Sequence, residues 1–164
     1  MFSRGHHQRI GSLLEALDKD LLRDASCYFG GGTAIALRFG EFRESMNVDF
    51  LDSSTSGYRE IRELVKTSGF DALAVREIPV VREPVADQYG IRAVLEVSGV
   101  PIKFEIVLEG RFSFDAPGPG DAICGITTLS LLDAAVSKLL ANSDRCSDTA
   151  VFSRDLIDLA MMQR

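Results

Sequence analysis

Three consecutive glycines between a short apolar run and a helical pattern constrain this chain more than any other feature. Residues 27–38 read Cys-Tyr-Phe-Gly-Gly-Gly-Thr-Ala-Ile-Ala-Leu-Arg, which is typical of a strand, a tight turn and a helix start. Glycine permits positive φ and lets a ligand approach the backbone, and a helix N-terminus offers free N–H groups to an anion. The pattern therefore has two interpretations. It is either a structural turn or a phosphate-binding loop in which Gly31, Gly32 and Thr33 contact the ligand.

A second predicted strand, residues 46–51, follows closely and carries Asn47 and Asp49. Side chains alternate between the faces of a strand, so these two project from the same face. Glu105 lies between two apolar residues of a later predicted strand, so its side chain leaves the apolar face and can meet Asp49. Hard cations prefer oxygen ligands, and phosphoryl transfer with metals needs carboxylates beside the phosphates. The sequence therefore predicts a magnesium or manganese site formed by Asn47, Asp49 and Glu105; the alternative is ordinary polar residues of turns and exposed strands.

The remaining elements follow from hydrophobic periodicity and turn residues. Helices are predicted over residues 9–23, 33–38, 58–67, 130–141 and 152–162. Thr128 or Ser130 could cap the fourth helix, residues 142–149 are predicted to be a polar connection, and the last helix carries Leu156, Leu159 and Met162 on one side. Strands are predicted over residues 27–29, 46–51, 91–97, 100–108 and 122–127, with one or two extended pieces over 72–81 broken at Pro79. Ser98-Gly99 is a two-residue hairpin signal. The order predicts an α+β fold, a mixed β-sheet framed by helices, with further helices at the C-terminal end.

Length and composition indicate one domain over residues 1–164. Residues 26–127 would form the sheet core with the metal and phosphate motif, and residues 128–164 a C-terminal helical part. The chain has 164 residues, of which 46% are hydrophobic, and no apolar run approaches the roughly 20 residues of a membrane helix. Cys27, Cys124 and Cys146 lack metal-ligand spacing, so free thiols in a reducing cytoplasm are expected.

Charge limits the class of partner. The net charge of −6 argues against a broad basic face that wraps nucleic acid. A local basic pocket for a triphosphate or an RNA end is still compatible with it, and the candidate cations are Arg38, Arg43, Lys138, Arg145 and Arg154. Lys138 lies in an apolar helix and is expected either to reach a triphosphate as a point charge or to extend its ammonium to solvent.

Two further groups of charged residues are expected at the surface. His6 and His7 have no evident partner near the N-terminus and are predicted to be solvated. Arg154, Asp155 and Asp158 are spaced three or four residues apart on the last predicted helix, as in a surface charge pattern.

Four short motifs occur in order over residues 27–160. Residues 30–37 and 43–50 follow a pattern of Gly-Gly-small-Ala-hydrophobic, then Arg-x-Ser, then Asp-hydrophobic-Asp, with Asn47 in place of the first aspartate. Residues 137–141 fit a lysine motif, residues 154–159 fit Arg-Asp-x-x-Asp-Leu, and Glu105 falls where a third carboxylate is usual. Together these motifs resemble the AbiEii/AbiGii toxin family of nucleotidyltransferase-like proteins, within the polymerase-β-type superfamily.

The resemblance implies a protein that binds a nucleoside triphosphate with Mg²⁺ (or Mn²⁺) and transfers a nucleotidyl group to an acceptor hydroxyl. It also implies a toxin role beside a cognate antitoxin. Some relatives act on tRNA ends, so RNA is an expected acceptor, and no membrane partner is expected. The implied nucleotide-binding residues are Gly31, Gly32, Thr33, Arg43, Ser45 and Lys138. The implied catalytic residues are Asp49, Glu105 and Lys138, supported by Arg154, Asp155 and Asp158.

Asn47 keeps a second hypothesis open. It stands where the family pattern has an aspartate that bridges metals, and its amide oxygen can ligate a cation without bringing negative charge. The alternative to an enzyme is therefore a degenerate transferase that binds nucleotide or a protein partner without turnover.

Overall fold

A five-stranded mixed sheet organises the protein in the computed structural model, which describes residues 2–145 and 153–163. The strands that these residues form are β1 (Cys27–Gly30), β2 (Val48–Asp52), β3 (Val80–Ala86), β4 (Gly90–Val97), β5 (Val100–Leu108), β6 (Ala122–Ile123) and β7 (Ile126–Thr127). The helices are α1 (Gly5–Ala16), α2 (Lys19–Asp24), α3 (Gly31–Arg38), α4 (Thr55–Ser68), α5 (Leu131–Arg145) and α6 (Arg154–Met162), with a 3₁₀ helix at Phe70–Leu73. This architecture confirms the predicted α+β class.

The order of the strands in the sheet is β1-β2-β5-β4-β3. Strands β2 and β5 are parallel and their register sets Asp49 beside Glu105. The other neighbours are antiparallel, and β1 places Gly30 opposite Asp49. The start of α3 and the two carboxylates therefore meet on one row of the sheet.

The two faces of β5 have the opposite characters that its alternating sequence predicts. Ile102, Phe104 and Ile106 are buried in the core cluster together with residues of α1 and α4. Lys103 is exposed and Glu105 is half-buried on the other face. The β4–β5 hairpin turns at Ser98-Gly99 as predicted, with φ of 51° and 75°, because this turn needs two residues in the left-handed region.

The N-terminal region differs from its prediction. The single helix expected over residues 9–23 is divided into α1 and α2, because the Asp18 side chain accepts hydrogen bonds from the backbone N–H groups of Asp20 and Leu21 and so caps a new helix. His6 and His7 are 7% and 0% exposed. Their predicted solvation is wrong. Because α1 begins at Gly5, both rings pack against the segment that precedes β2, where they contact Ser45 and Met46.

Two β predictions are also wrong. Residues 72–81 do not form extended pieces broken at Pro79: the 3₁₀ helix ends at Leu73, and β3 begins only at Val80. Residues 122–127 form the β6–β7 ribbon instead of one strand. The ribbon turns at Cys124 and Gly125, whose φ values are 51° and 80°.

The C-terminal helices are anchored differently from the expectation. The α5 helix starts with a hydrogen bond from the Asp133 N–H to Ser130 Oγ, one of the two predicted caps, and continues to Arg145 through part of the predicted connection, residues 142–149. On α6, Leu156 is 51% exposed while Asp155 and Asp158 are 2% and 0% exposed. The predicted apolar side is only partly packed, since Leu159 and Met162 are half-buried, and the most buried described residues of this helix are the two carboxylates.

Some predictions fall on residues outside the described ranges. These include the end of the 142–149 connection, Cys146 and the start of the last predicted helix at Phe152. Cys27 and Cys124 are free thiols, as predicted. None of the helices in the described ranges has the length and apolar character to cross a membrane.

The last residue of β2 generates a prediction about stability. Asp52 is fully buried; its Oδ1 accepts a hydrogen bond from the Ser54 N–H at 2.6 Å, while Oδ2 has no partner among the described residues. Burial raises the pKa of Asp52 from 3.8 to about 7. The folded protein therefore keeps a proton that the unfolded chain releases, and its stability falls as the pH rises between these two values.

We expect Asp52→Asn to remove this pH dependence, because the amide keeps an acceptor for Ser54 without a buried charge. At about pH 8 the variant should be more stable than the wild type by about 2 kcal/mol, measured by urea unfolding. The exposed Asp71→Asn is the matched control. Equal loss of stability with rising pH in the wild type and Asp52→Asn would contradict the account.

Candidate active site

Asp49 and Glu105 lie side by side at the floor of an open cleft of about 470 Å³. The parallel register of β2 and β5 makes them neighbours, and alternation along each strand turns both away from the apolar face. The predicted site residues that line this cleft are Gly31, Gly32, Asn47, Asp49, Glu105 and Lys138. The structure thus brings together the glycine turn, the paired strands and the α5 lysine.

Close packing explains why glycine is needed at positions 31 and 32. Gly31 has φ of 68°, and a Cβ there would lie 2.9 Å from Asp49 Oδ2. A Cβ on Gly32 would collide with the Arg43 guanidinium. Glycine at both positions therefore allows Asp49 and Arg43 to pack directly against the start of α3, with Gly30 as its N-cap residue.

Asn47 is exposed and precedes β2, which begins two residues later than the strand predicted from Met46. Its backbone carbonyl oxygen lies 2.6 Å from Thr33 Oγ1, and Ser45 Oγ lies 2.7 Å from the same hydroxyl. Thr33 is 1% exposed. Thr33 and Ser45 therefore hold the chain that leads to the carboxylates.

Two histidines that sequence reasoning missed hold the same segment. His7 Nε2 accepts a hydrogen bond from the Ser45 N–H at 3.0 Å, so its Nδ1 carries the proton and donates to Glu41 Oε1 at 2.9 Å. His6 Nε2 lies 3.0 Å from the Met46 carbonyl oxygen. No local sequence pattern predicts these histidine contacts, because 34 to 40 residues separate each histidine from its partner.

Hydrogen bonds from the Ser3 backbone and hydroxyl, then from Arg4 and His7, lower the pKa of Glu41 to about 2. Glu41 is therefore an ionised acceptor for His7 at neutral pH.

A buried charge cluster lies behind the cleft. Lys138 Nζ is 2.9 Å from Asp155 Oδ1 and 2.9 Å from Asp158 Oδ2. Arg43 donates to both oxygens of Asp158, at 2.7 and 2.8 Å. Asp155 and Asp158 therefore do not belong to a surface charge pattern; they tie α6 to α5 and to the segment before β2. Arg154, by contrast, is exposed.

Arg38 lies outside this cluster, because it donates to Asp121 Oδ1 at 2.7 Å. The Arg145 side chain lies outside the described part of the chain. Among the candidate cations whose side chains the structure describes, Arg43 and Lys138 are the two that reach the region of the cleft.

The donor set suits one hard cation. Within residues 2–145 and 153–163, no group of three or more His, Cys, Asp or Glu side chains is arranged to hold a metal ion. Asp49 and Glu105 supply two carboxylates and Asn47 can supply an amide oxygen, which fits one Mg²⁺ that takes its other ligands from phosphates and water. Arg92, which sequence reasoning missed, donates from Nε to Glu105 Oε1 at 2.9 Å and offsets part of this negative charge.

The far end of the cleft carries a second ion-pair network that sequence reasoning missed. Arg111 contacts Glu109 at 2.7 Å and Asp144 at 2.9 Å. The side-chain hydrogen bonds from Arg111 lower the pKa of the largely buried Glu109. The position of Glu109, directly after β5, was the available signal, since residues at a strand end often line a site.

A mixed sheet with a helix that starts at a glycine turn beside paired carboxylates defines a nucleotidyltransferase-like protein. The chain belongs to the AbiEii family: the family model described as "Nucleotidyl transferase AbiEii toxin, Type IV TA system" matches residues 12–164. The resemblance found in the motifs is therefore confirmed.

Solved structures from Helicobacter pylori share the fold. JHP933 is 20% identical with a TM-score of 0.52, over 97% of this chain and 66% of JHP933. A protein with a provisional nucleotidyltransferase assignment is 17% identical with a TM-score of 0.50, over 82% of this chain and 56% of its own. The chain thus spans less than two thirds of either structure. A comparison with curated proteins gave no significant match.

The charge cluster predicts the effect of removing its central carboxylate. Asp158→Ala leaves Arg43 and buried Lys138 short of a partner, so we expect a loss of about 3 kcal/mol in the free energy of unfolding. Asp144→Ala removes a carboxylate from an exposed ion pair and should cost at most about 1 kcal/mol. Urea unfolding of both variants measures the difference, and equal losses would contradict the role of Asp158.

The histidine contacts predict a local effect on the chain before β2. His7→Ala removes the acceptor of the Ser45 N–H, so exchange of this amide hydrogen should become at least about tenfold faster and stability should fall by about 1–3 kcal/mol. His6→Ala is the control, because it leaves the Ser45 amide paired. Unchanged Ser45 protection in His7→Ala, measured by hydrogen exchange and NMR, would show that His7 does not hold this segment.

Proposed function

We propose that this protein binds a nucleoside triphosphate with Mg²⁺ and transfers its nucleotidyl group to an acceptor hydroxyl, acting as a toxin opposed by an antitoxin. The observation that carries the proposal is the register pair of Asp49 and Glu105 beside the start of α3. Two carboxylates next to a helix N-terminus join a cation site to a phosphate site. Membership of the AbiEii family supports the same reaction class.

The phosphates would lie between α3 and α5. Backbone N–H groups at Gly31 and Gly32 belong to the first turn of α3, where donors face an anion. Lys138 donates a hydrogen bond to Asp155 and forms an ion pair with Asp158; since an ammonium group carries three hydrogens, Lys138 would also donate to a phosphate oxygen. Arg43, held by Asp158, would add positive charge behind the glycines.

Three residues of the cleft would hold the cation, and one of them would also accept the proton of the acceptor hydroxyl. Asp49 and Glu105, with the Asn47 amide, would hold the cation, which neutralises charge on the phosphates and lowers the pKa of the acceptor hydroxyl. Asp49 would take the proton as the acceptor oxygen bonds to the α-phosphorus. The bond from this phosphorus to the bridging oxygen breaks, and pyrophosphate leaves with the electron pair.

A second candidate function is binding without turnover. Two observations favour it: Asn47 brings no charge, and Arg92 pairs with Glu105. Both reduce the negative charge available to a cation. In this case the cleft would hold a nucleotide, or the protein would bind a protein partner, without chemical transfer.

Release of pyrophosphate separates the two functions. With Mg²⁺, RNA and each of the four nucleoside triphosphates in turn, the wild type should release pyrophosphate with at least one of them. Asp49→Asn should reduce the rate by at least about 10²-fold, because the substitution removes half of the carboxylate pair. The exposed Asp71→Asn is the matched control and should retain the wild-type rate.

A further variant tests Asn47 directly. Asn47→Asp adds a third carboxylate and should increase the rate if the site is catalytic but weak in metal binding. Activity only in Asn47→Asp would favour the degenerate site. If calorimetry detects no triphosphate binding to the wild type, with or without Mg²⁺, the transfer reaction and the nucleotide-binding form of the second candidate both fail, and only binding of a protein partner is left.

A further inference from the structure

Glu41, in the segment between α3 and β2, collects hydrogen bonds from residues near the N-terminus. Its Oε2 accepts from the Ser3 backbone N–H and from the Ser3 hydroxyl, each at 2.7 Å. Its Oε1 accepts from the Arg4 N–H at 3.1 Å and from His7 Nδ1 at 2.9 Å. The Glu41 carbonyl oxygen accepts a further hydrogen bond from Arg4 Nε at 3.1 Å. We name these contacts of Ser3, Arg4 and His7 with Glu41 the N-terminal clamp.

The carboxylate at the centre of the N-terminal clamp is largely withdrawn from solvent. The Glu41 side chain is 12% exposed and the His7 side chain 0% exposed. Hydrogen bonds from Ser3, then from Arg4 and His7, lower the pKa of Glu41 to about 2, so this carboxylate is ionised at neutral pH. Hydrogen bonds to an ionised group are shorter and stronger than those between neutral groups. The N-terminal residues are therefore tied firmly to position 41.

The backbone of Glu41 has a conformation that is unusual for a residue with a side chain. Gly40 and Glu41 have φ values of 78° and 56°, so the chain leaves α3 through two consecutive left-handed residues. Glycine adopts this region without the cost that a Cβ brings. A glutamate there is uncommon, and such conformations are concentrated at functional sites. The N-terminal clamp gives a reason for glutamate at position 41, because its hydrogen bonds require the carboxylate.

From Glu41 a series of hydrogen bonds continues to Asn47. His7 uses Nδ1 for Glu41, so its Nε2 is the acceptor of the Ser45 N–H at 3.0 Å. The Ser45 hydroxyl lies 2.7 Å from Thr33 Oγ1, and Thr33 Oγ1 lies 2.6 Å from the Asn47 carbonyl oxygen. In the described part of the chain, Asn47 lines the cleft and Glu41 does not. Any effect of Glu41 on the cleft must therefore pass through these intermediate contacts.

Asn47 depends on these contacts because the sheet does not hold it directly. The register of β2 with β5 begins at Val48, and Asn47 is exposed one residue earlier. His6 adds a contact to the carbonyl oxygen of the neighbouring Met46 at 3.0 Å. An amide oxygen carries no net charge, so it contributes to a cation site only where the chain holds it close to the ion. Groups that orient the ligands of a metal commonly change its affinity by about 10- to 100-fold.

We propose that Glu41 is a positioning residue, which acts through His7 to hold Asn47 in place as a ligand of the cation. The inference rests on the proposed function, because the cation belongs to that reaction. It assigns a role in the site to the N-terminal residues, which lie about 40 positions before Asn47 in the sequence. A purely structural role for Glu41 would instead lower stability and leave the affinity for the cation unchanged.

The first measurement needs neither metal nor nucleotide. Glu41→Gly removes the carboxylate and suits the left-handed backbone. Asp18→Ala is the control, because Asp18 also accepts two backbone hydrogen bonds, but at the start of α2. NMR should show the Nδ1-protonated His7 ring in the wild type and a mixture of tautomers in Glu41→Gly. Exchange of the Ser45 amide should become at least about tenfold faster in Glu41→Gly and stay unchanged in Asp18→Ala. Circular dichroism checks that both variants fold.

The second measurement follows the cation itself. Binding of Mn²⁺ alone, detected by electron paramagnetic resonance of the free ion, should be at least about tenfold weaker in Glu41→Gly than in the wild type. Asp18→Ala should keep the wild-type affinity. Asn47→Ala should also bind more weakly, and Glu41→Gly/Asn47→Ala should bind no more weakly than Asn47→Ala, because both substitutions remove the same ligand.

Three results would overturn the inference: wild-type Mn²⁺ affinity in Glu41→Gly, losses that add in the double variant, or no Mn²⁺ binding by the wild type. Unchanged Ser45 exchange in Glu41→Gly would overturn it as well, since the effect has to pass through His7. Pyrophosphate release separates these results from failure of the proposed function. Release by the wild type means that the positioning role alone has failed, whereas no release and no Mn²⁺ binding refute both.

Discussion

Asp158 is the buried carboxylate on which the arrangement of the candidate site depends. It pairs with Arg43, which precedes β2, and with Lys138 of α5, while it belongs to α6 itself. A charge that is 0% exposed is tolerated only when partners and hydrogen bonds replace its water. The Asp158 carboxylate thus joins the Arg43 segment, the lysine motif of α5 and the motif of α6. Position 32 requires glycine, because the Arg43 guanidinium that contacts Asp158 occupies the space that a Cβ would take.

The second constraint is the parallel pairing of β2 and β5. A shift of one residue would turn either Asp49 or Glu105 into the apolar core, so the burial of Phe50, Phe104 and Ile106 fixes the carboxylates as well as the fold. The same sheet supplies Arg92, which neutralises part of their charge from the neighbouring strand. In the proposed function, the Arg92 cation and the uncharged amide of Asn47 would both reduce the negative charge that Asp49 and Glu105 offer to a metal ion.

Sequence reasoning succeeded where the residues that determine a local structure lie close together in the sequence. The alternation of Ile102, Phe104 and Ile106 predicts which face Glu105 takes. The glycines predict where β1 passes into α3, but Gly31 and Gly32 form the first turn of the helix itself instead of a separate turn. Sequence reasoning failed for His6 and His7, because their partners lie 34 to 40 residues away and no local pattern marks them. It missed Arg92, although the register of the predicted hairpin at Ser98-Gly99 places this residue opposite Glu105. It also failed for α6, where Leu156 fits the apolar periodicity but Asp155 and Asp158 are buried, since ion pairs with α5 override it.

The proposed function requires Asp49 and Glu105 to hold one cation together with a nucleoside triphosphate. A crystal structure with a non-hydrolysable triphosphate analogue and Mn²⁺ tests this most directly, because anomalous scattering locates the metal. The account predicts one manganese ion bound by Asp49 and Glu105, with phosphate oxygens completing its coordination beside the first turn of α3. A triphosphate bound elsewhere, or bound in the cleft with its metal away from both carboxylates, would contradict it.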